Sequence, residues 1–158
     1  VHRAQLPLLD RLIDDAPDTP IDRPPSAGEA MAALRASVRR DLEGLLNARR
    51  RWRSWPAALT ELATSPLGFG IPDFTSGAFA DQRRREWLRA EVEDTIRRFE
   101  PRFARVQVSL LDGRDRLEPT LRLRIDALLH ADPAPEPVAF DTVVDATTAE
   151  VSVRARDV

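Results

Sequence analysis

The chain has 158 residues, 42% of them hydrophobic and 32% charged, with a formal net charge of −2. That composition belongs to a folded domain, and a chain of this length can bury about 68–70% of its unfolded surface around one core without staples. No apolar run approaches the roughly 20 residues that cross a bilayer, and the slightly acidic balance draws the chain to neither nucleic acid nor anionic lipid.

Residues 8–13 open with Leu9, Leu12 and Ile13 at helical spacing, a short amphipathic segment. Pro17, Pro20, Pro24 and Pro25 then exclude helix or central strand and predict an extended tether. Residues 1–25 are therefore read as an appendage and 26–158 as the domain. An isolated helix this short is marginal in water, so it must lean on its own body or on a partner. The four prolines favour a partner.

Ser26-Ala27-Gly28-Glu29 has the spacing of a capping box. Met31, Leu34, Val38, Leu42 and Leu45 follow as one apolar stripe, which predicts a helix over 27–48 with Arg35, Arg39, Arg40 and Glu43 on its other face. Arg49, Arg50, Arg51 and Arg53 surround Trp52 and Trp55, and Pro56 can open a short helix over 56–63. In residues 65–74, Gly68, Gly70, Pro66 and Pro72 forbid regular structure. Leu67, Phe69, Ile71 and Phe74 make it a packed loop.

A second helix is predicted over 81–99, with Leu88, Val92, Ile96 and Phe99 on one face, ended by Pro101. The period then changes from 3.6 to 2. Val106, Val108 and Leu110 form one strand, Asp112-Gly113 turns the chain, and Leu121, Leu123 and Ile125 form the next. Pro133, Pro135 and Pro137 read as a break. Val138, Phe140 and Val143 make a third strand, and Val151 and Val153 a fourth. The fold class is α+β, two main helices on an antiparallel sheet of about four strands.

The residues supply little catalytic hardware. Without cysteine there is no disulfide framework or thiolate zinc site, and His2 and His130 alone cannot build a histidine-rich metal centre. No metal or other cofactor is expected. The missing cysteines and the charges at Arg3, Asp10 and Arg11, which interrupt any secretory apolar run, agree with a cytoplasmic chain. All 24 basic residues are arginine, which fits a codon bias as well as it fits crowded carboxylate interfaces. The Arg49–Trp55 cluster can be a phosphate-tracking patch or a solvated helix end with two tryptophans in the core. Glu86 and Asp73 are the only tempting carboxylates for hydrolysis, and each is read instead as a surface or turn residue.

Glu100-Pro101-Arg102 carries two open readings. A glutamate at a helix C-terminus faces the negative end of the dipole. Either a neighbour such as Arg97 or Arg98 compensates it, or Glu100 and Arg102 are opposite charges presented at a rigid corner for bidentate docking.

Four segments occur in order: Leu8-Leu9-Asp10-Arg11-Leu12, the run from Ser37 to Arg50, Gly70-Ile71-Pro72-Asp73 and Phe99-Glu100-Pro101-Arg102-Phe103. Together, over about 8–125, they resemble the TssE family of type VI secretion baseplate subunits, itself similar to phage baseplate wedge proteins labelled "lysozyme-related". The resemblance implies a structural, non-enzymatic wedge subunit that binds TssF, TssG and TssK and helps start the TssB/TssC sheath. It also implies that Glu100, Pro101 and Arg102 contact the TssF/TssG core bundle. Phe103 stands where the family has leucine and Ala48 where it has threonine, both mild changes. Two further docking elements are expected from the residues: Leu9, Leu12 and Ile13 on another subunit, and the Val151/Val153 strand as an edge that templates the sheath by strand pairing. Neither direct membrane insertion nor nucleic-acid binding is expected.

Overall fold

A computed structural model describes residues 7–13, 17–18, 24–50, 56, 58–74, 79, 81–111, 120–131 and 134–156. Its helices are α1 (Leu8–Leu12), α2 (Ala27–Asn47) and α3 (Gln82–Phe99). Its strands are β1 (Phe103–Leu111), β2 (Thr120–Leu129), β3 (Glu136–Asp145) and β4 (Val151–Arg156), which pair antiparallel in the order β1-β2-β3-β4. The α+β class is as the periodicities indicate. The meander leaves β1 and β4 as the two edges. α3 packs on β1 and α2 on β4, and one apolar cluster joins both helices to the inner face of the sheet.

α2 starts where its cap requires. The Glu29 N–H donates to Ser26 Oγ and the Ser26 N–H to the Glu29 carboxylate at 2.7 Å. Its stripe is the expected one, with Leu46 added to the buried side. α3 begins one residue later than expected because Asp81 is its N-cap, accepting from the Arg83 N–H at 3.0 Å.

Four local expectations are corrected. Pro56 does not open a helix; a 3₁₀ helix forms at Thr60–Thr64, where Ser65 Oγ donates to the Leu62 carbonyl at 2.9 Å. In the following loop only Ile71 and Phe74 enter the core, while Leu67 and Phe69 stay exposed. The loop is fixed by backbone instead. The Ile71 N–H donates to Ala48 O at 3.1 Å and the Arg50 N–H to Ile71 O at 2.9 Å, a parallel bridge between Arg49 and Ile71. Gly70 permits it, with φ of 96° and space so tight that a Cβ would lie 2.4 Å from Ala48 O.

In β3 the inward residues are Val138, Phe140, Thr142 and Val144; Val143 lies on the outer face, between Arg122 and Ser152. Pro137 belongs to the strand rather than to a break. Among the described residues β4 ends opposite Ala139, so Pro137, whose nitrogen faces that side, costs none of the described strand pairing a ladder bond. The Asp112-Gly113 turn and Pro133 lie outside the described residues.

Candidate functional site

α3 ends at Phe99 and is capped by Glu100, whose N–H closes the last turn on Ile96 O at 2.8 Å. The next residue, proline, stops the helix and turns the chain into β1. Across that corner Arg102 folds back onto Glu100. Its Nε donates to Oε1 at 2.6 Å, its Nη2 to Oε2, and its own N–H to Oε1 at 3.2 Å. Glu100 is only 5% exposed. The two charges are therefore not offered outward side by side, as the docking reading has it, and Arg97 and Arg98 are not the compensating residues. Those pair with Glu93 and Asp94.

The corner is tied to α2. Arg102 Nη2 donates to Asp41 Oδ2 at 2.7 Å, and Nη1 to Ser37 Oγ at 3.3 Å. Asp41 also takes Arg40, and Arg40 reaches Asp10 of α1 at 2.8 Å. Five charged groups thus form one chain: Glu100, Arg102, Asp41, Arg40, Asp10. Hydrogen bonds from Arg40 and then from the Ser37 hydroxyl hold the Asp10 carboxyl below the usual range. Burial alone would lower the Arg102 pKa, but Glu100 and Asp41 outweigh it and raise it.

The N-terminal segment thereby sits on the Glu-Pro-Arg corner. It is held by charge and not by its apolar side. Leu9, Leu12 and Ile13 are 62%, 72% and 53% exposed, and no residue of α1 is buried. Pro101 is exposed and Arg102 is half-buried. The surface made here is composite: apolar residues of α1 next to a partly covered chain of ion pairs.

Val151 and Val153 lie elsewhere. Their side chains are in the core against α2, so they are not free for another chain. β4 is an edge as expected, but its polar groups are already engaged. Asn47 Nδ2 donates to Val151 O at 2.7 Å while the Val151 N–H donates to Asn47 Oδ1 at 2.9 Å. The Val153 N–H donates to Glu43 Oε1 at 3.2 Å, and Arg39 Nη1 donates to Val153 O at 3.4 Å. This part of the edge is closed by α2, which corrects the picture of an open templating strand. Glu43 and Arg39 are residues that the sequence places on the outer face of the helix, and Asn47 carries no signal of this contact.

Arg49 and Arg50 serve the fold. Arg49 stacks 4.5 Å over the Phe74 ring and donates to Leu46 O at 2.7 Å, and burial lowers its pKa despite Asp73. Arg50 bridges to Glu91 on α3 at 2.9 Å. Arg51, Trp52, Arg53 and Trp55 lie outside the described residues. Glu86 is exposed and paired with Arg89 at 2.9 Å, and Asp73 is exposed. Among the described residues no group of three or more His, Cys, Asp or Glu could hold a metal ion.

The sequence model of the family described as baseplate wedge protein gp25 matches residues 32–134, well over half of the chain and inclusive of the Glu-Pro-Arg corner. No curated protein and no solved structure matches the chain.

Proposed function

The chain belongs to the baseplate wedge protein gp25 family, and from that premise we propose that it is the structural wedge subunit of a type VI secretion baseplate. That family is one of structural baseplate proteins of phage-tail-like systems. In this reading the subunit binds TssF, TssG and TssK and helps start the TssB/TssC sheath at the cytoplasmic side of the inner membrane. Among the described residues no helix is long and apolar enough to cross that membrane.

The observation that carries the reading is the Glu100–Arg102 fork inside the matched region, with the exposed leucines of α1 beside it. A rigid corner and an apolar helix in one place suit a helical bundle that buries the leucines and reads the charges at its rim. The role is scaffolding, without turnover.

Affinity capture of the tagged chain from its own cells tests this. TssF, TssG and TssK are expected in stable amounts. Capture of phage-tail proteins in their place would move the subunit to a phage-tail-like particle. Capture of no baseplate protein would overturn the proposal.

A further inference from the structure

The two long helices cover one side of the sheet. α3 lies on β1 and α2 on β4, and alternate residues of the strands turn toward them. The residues in between form an outer face, on which every described side chain except Ala139 is half-buried or exposed. Register sets Arg124, Asp141 and Arg154 side by side across β2, β3 and β4, with Asp126, Ala139 and Arg156 in the next row.

Asp141 thus has an arginine on either side and a third on the diagonal. It lies 3.7 Å from Arg124 Nε and 3.8 Å from Arg156 Nη1, close enough for attraction but too far for a hydrogen bond. Arg124 Nε and Asp141 Oδ1 are shielded from water and have no hydrogen-bond partner among the described residues. One carboxylate cannot satisfy three guanidinium forks. This local excess of positive charge stands on a chain whose formal net charge is −2. Along β3, Ala139 and Val143 flank Asp141 with small side chains. The arginines of β2 and β4 therefore border a trough two strand spacings wide, about 9.6 Å. At its Pro137 end the trough runs into a hollow of about 300 Å³ lined by Leu128, Pro137 and Ala139 together with Arg105.

We propose that the outer face of the sheet is a docking surface for a second protein, and that its occupant is an α-helix with an acidic face, laid along β3. A helix about 10–12 Å across matches the trough. Arg154 and Arg156 stand about 6.8 Å apart along β4, and carboxylates at i and i+4 stand about 6 Å apart along a helix. Such a pair reaches both forks, and a third carboxylate on the opposite flank reaches Arg124. Like charges four residues apart weaken a free helix, and the arginines relieve that repulsion on docking. One turn past the second carboxylate, an apolar side chain meets the hollow. No aromatic residue lies on this face among the described residues, so bases have nothing to stack on. A small apolar floor rimmed by arginine has the make-up of a protein interface. The surface lies across the sheet from α2 and α3, and the proposal does not rest on the wedge reading.

The test is NMR titration of the full chain with an alanine-rich helical peptide of about 18 residues, carrying glutamates four residues apart and a leucine one turn beyond them. Amide signals of Arg124, Asp141, Arg154 and Arg156 should shift, while those of Asp10, Glu100 and Arg102 stay in place. Arg154→Glu combined with Arg156→Glu should weaken binding at least tenfold and leave the melting temperature nearly unchanged, since both side chains are exposed. Asp141→Asn removes the competing carboxylate and should bind the peptide at least threefold more tightly. The wild-type shift map and the arginine variant decide the matter if the asparagine variant folds poorly. Binding that survives the double arginine change, equal binding of a peptide with glutamine for glutamate, or no shift at millimolar peptide would overturn the proposal. So would shifts gathered at the Glu-Pro-Arg corner, or equal binding of a peptide of the same charge broken by a central proline. A single-stranded oligonucleotide that shifts the same residues as strongly as the peptide does would also overturn it.

Discussion

Glu100 and Arg102 face each other across Pro101, with Arg102 Nε 2.6 Å from Glu100 Oε1. Residues two apart in a helix point away from each other, so this fork exists only because proline ends α3 there. The pair is an internal joint between α3, β1 and α2, and only the rim of Arg102 is left for a partner.

Truncating Glu100 should therefore destabilise the isolated protein. Breaking a fully buried ion pair costs roughly 3–5 kcal/mol. Arg102 keeps part of its side chain in water, so Glu100→Ala is expected to cost less, about 2–3 kcal/mol. Urea unfolding measures it. A loss under about 0.5 kcal/mol would mean that the charges face outward after all.

The tie of α1 should respond to acid and salt. Asp10 titrates below its unfolded value, so its pairing contributes above that value, near pH 3.9, and is lost as pH falls through the lower folded one. Asp10→Asn should do the same at neutral pH. Since α1 buries nothing, the melting temperature of the body should stay put while trypsin cuts faster after Arg11. A large drop in melting temperature would place the leucines in this protein's own core.

Much of the frame is legible because its signals are local. Leu34, Val38, Leu42 and Leu45 repeat at helical spacing, and Ser26 with Glu29 writes the start of α2. The site is less legible because its partners are distant. Arg39 and Glu43 read as an ordinary helix-surface pair, and nothing within one turn discloses that Val153 lies between them. Val143-Val144 shows the limit of period-two reading. Either valine can be the inward one, and pairing with Val151 decides for Val144. In the same way Leu67 and Phe69 are apolar enough for the core, but the bridge at Ile71 leaves them outside.

Gly70 should tolerate no side chain. With φ of 96° and Ala48 O in the place of a Cβ, Gly70→Ala must break the bridge that seats Ile71. Strained backbone of this kind costs roughly 1–3 kcal/mol, and the displaced Ile71 adds to it. A loss of about 3 kcal/mol in thermal or urea unfolding is expected. A neutral substitution would show that the loop packs without the bridge.

Proline scanning of β4 separates an edge that is open from one that is closed. The N–H groups of Val151 and Val153 go to Asn47 and Glu43, so alternation gives the N–H of Ser152 to β3, opposite Val143. Ser152→Pro thus removes a ladder donor and is expected to cost about 2–3 kcal/mol, as loss of a buried hydrogen bond with steric displacement does. Ala155 has the opposite phase. Its N–H points off the sheet, past the last α2 side chain that holds the edge, and proline is at home in such a position. Ala155→Pro should therefore change stability by less than about 1 kcal/mol. If β4 were the strand that receives another chain, Ala155→Pro would also block assembly of the sheath. With β4 closed by α2, this variant should fold, join the baseplate and support sheaths of normal length, counted by electron microscopy. Sheath loss in a folded Ala155→Pro protein would show that β4 receives another chain after all.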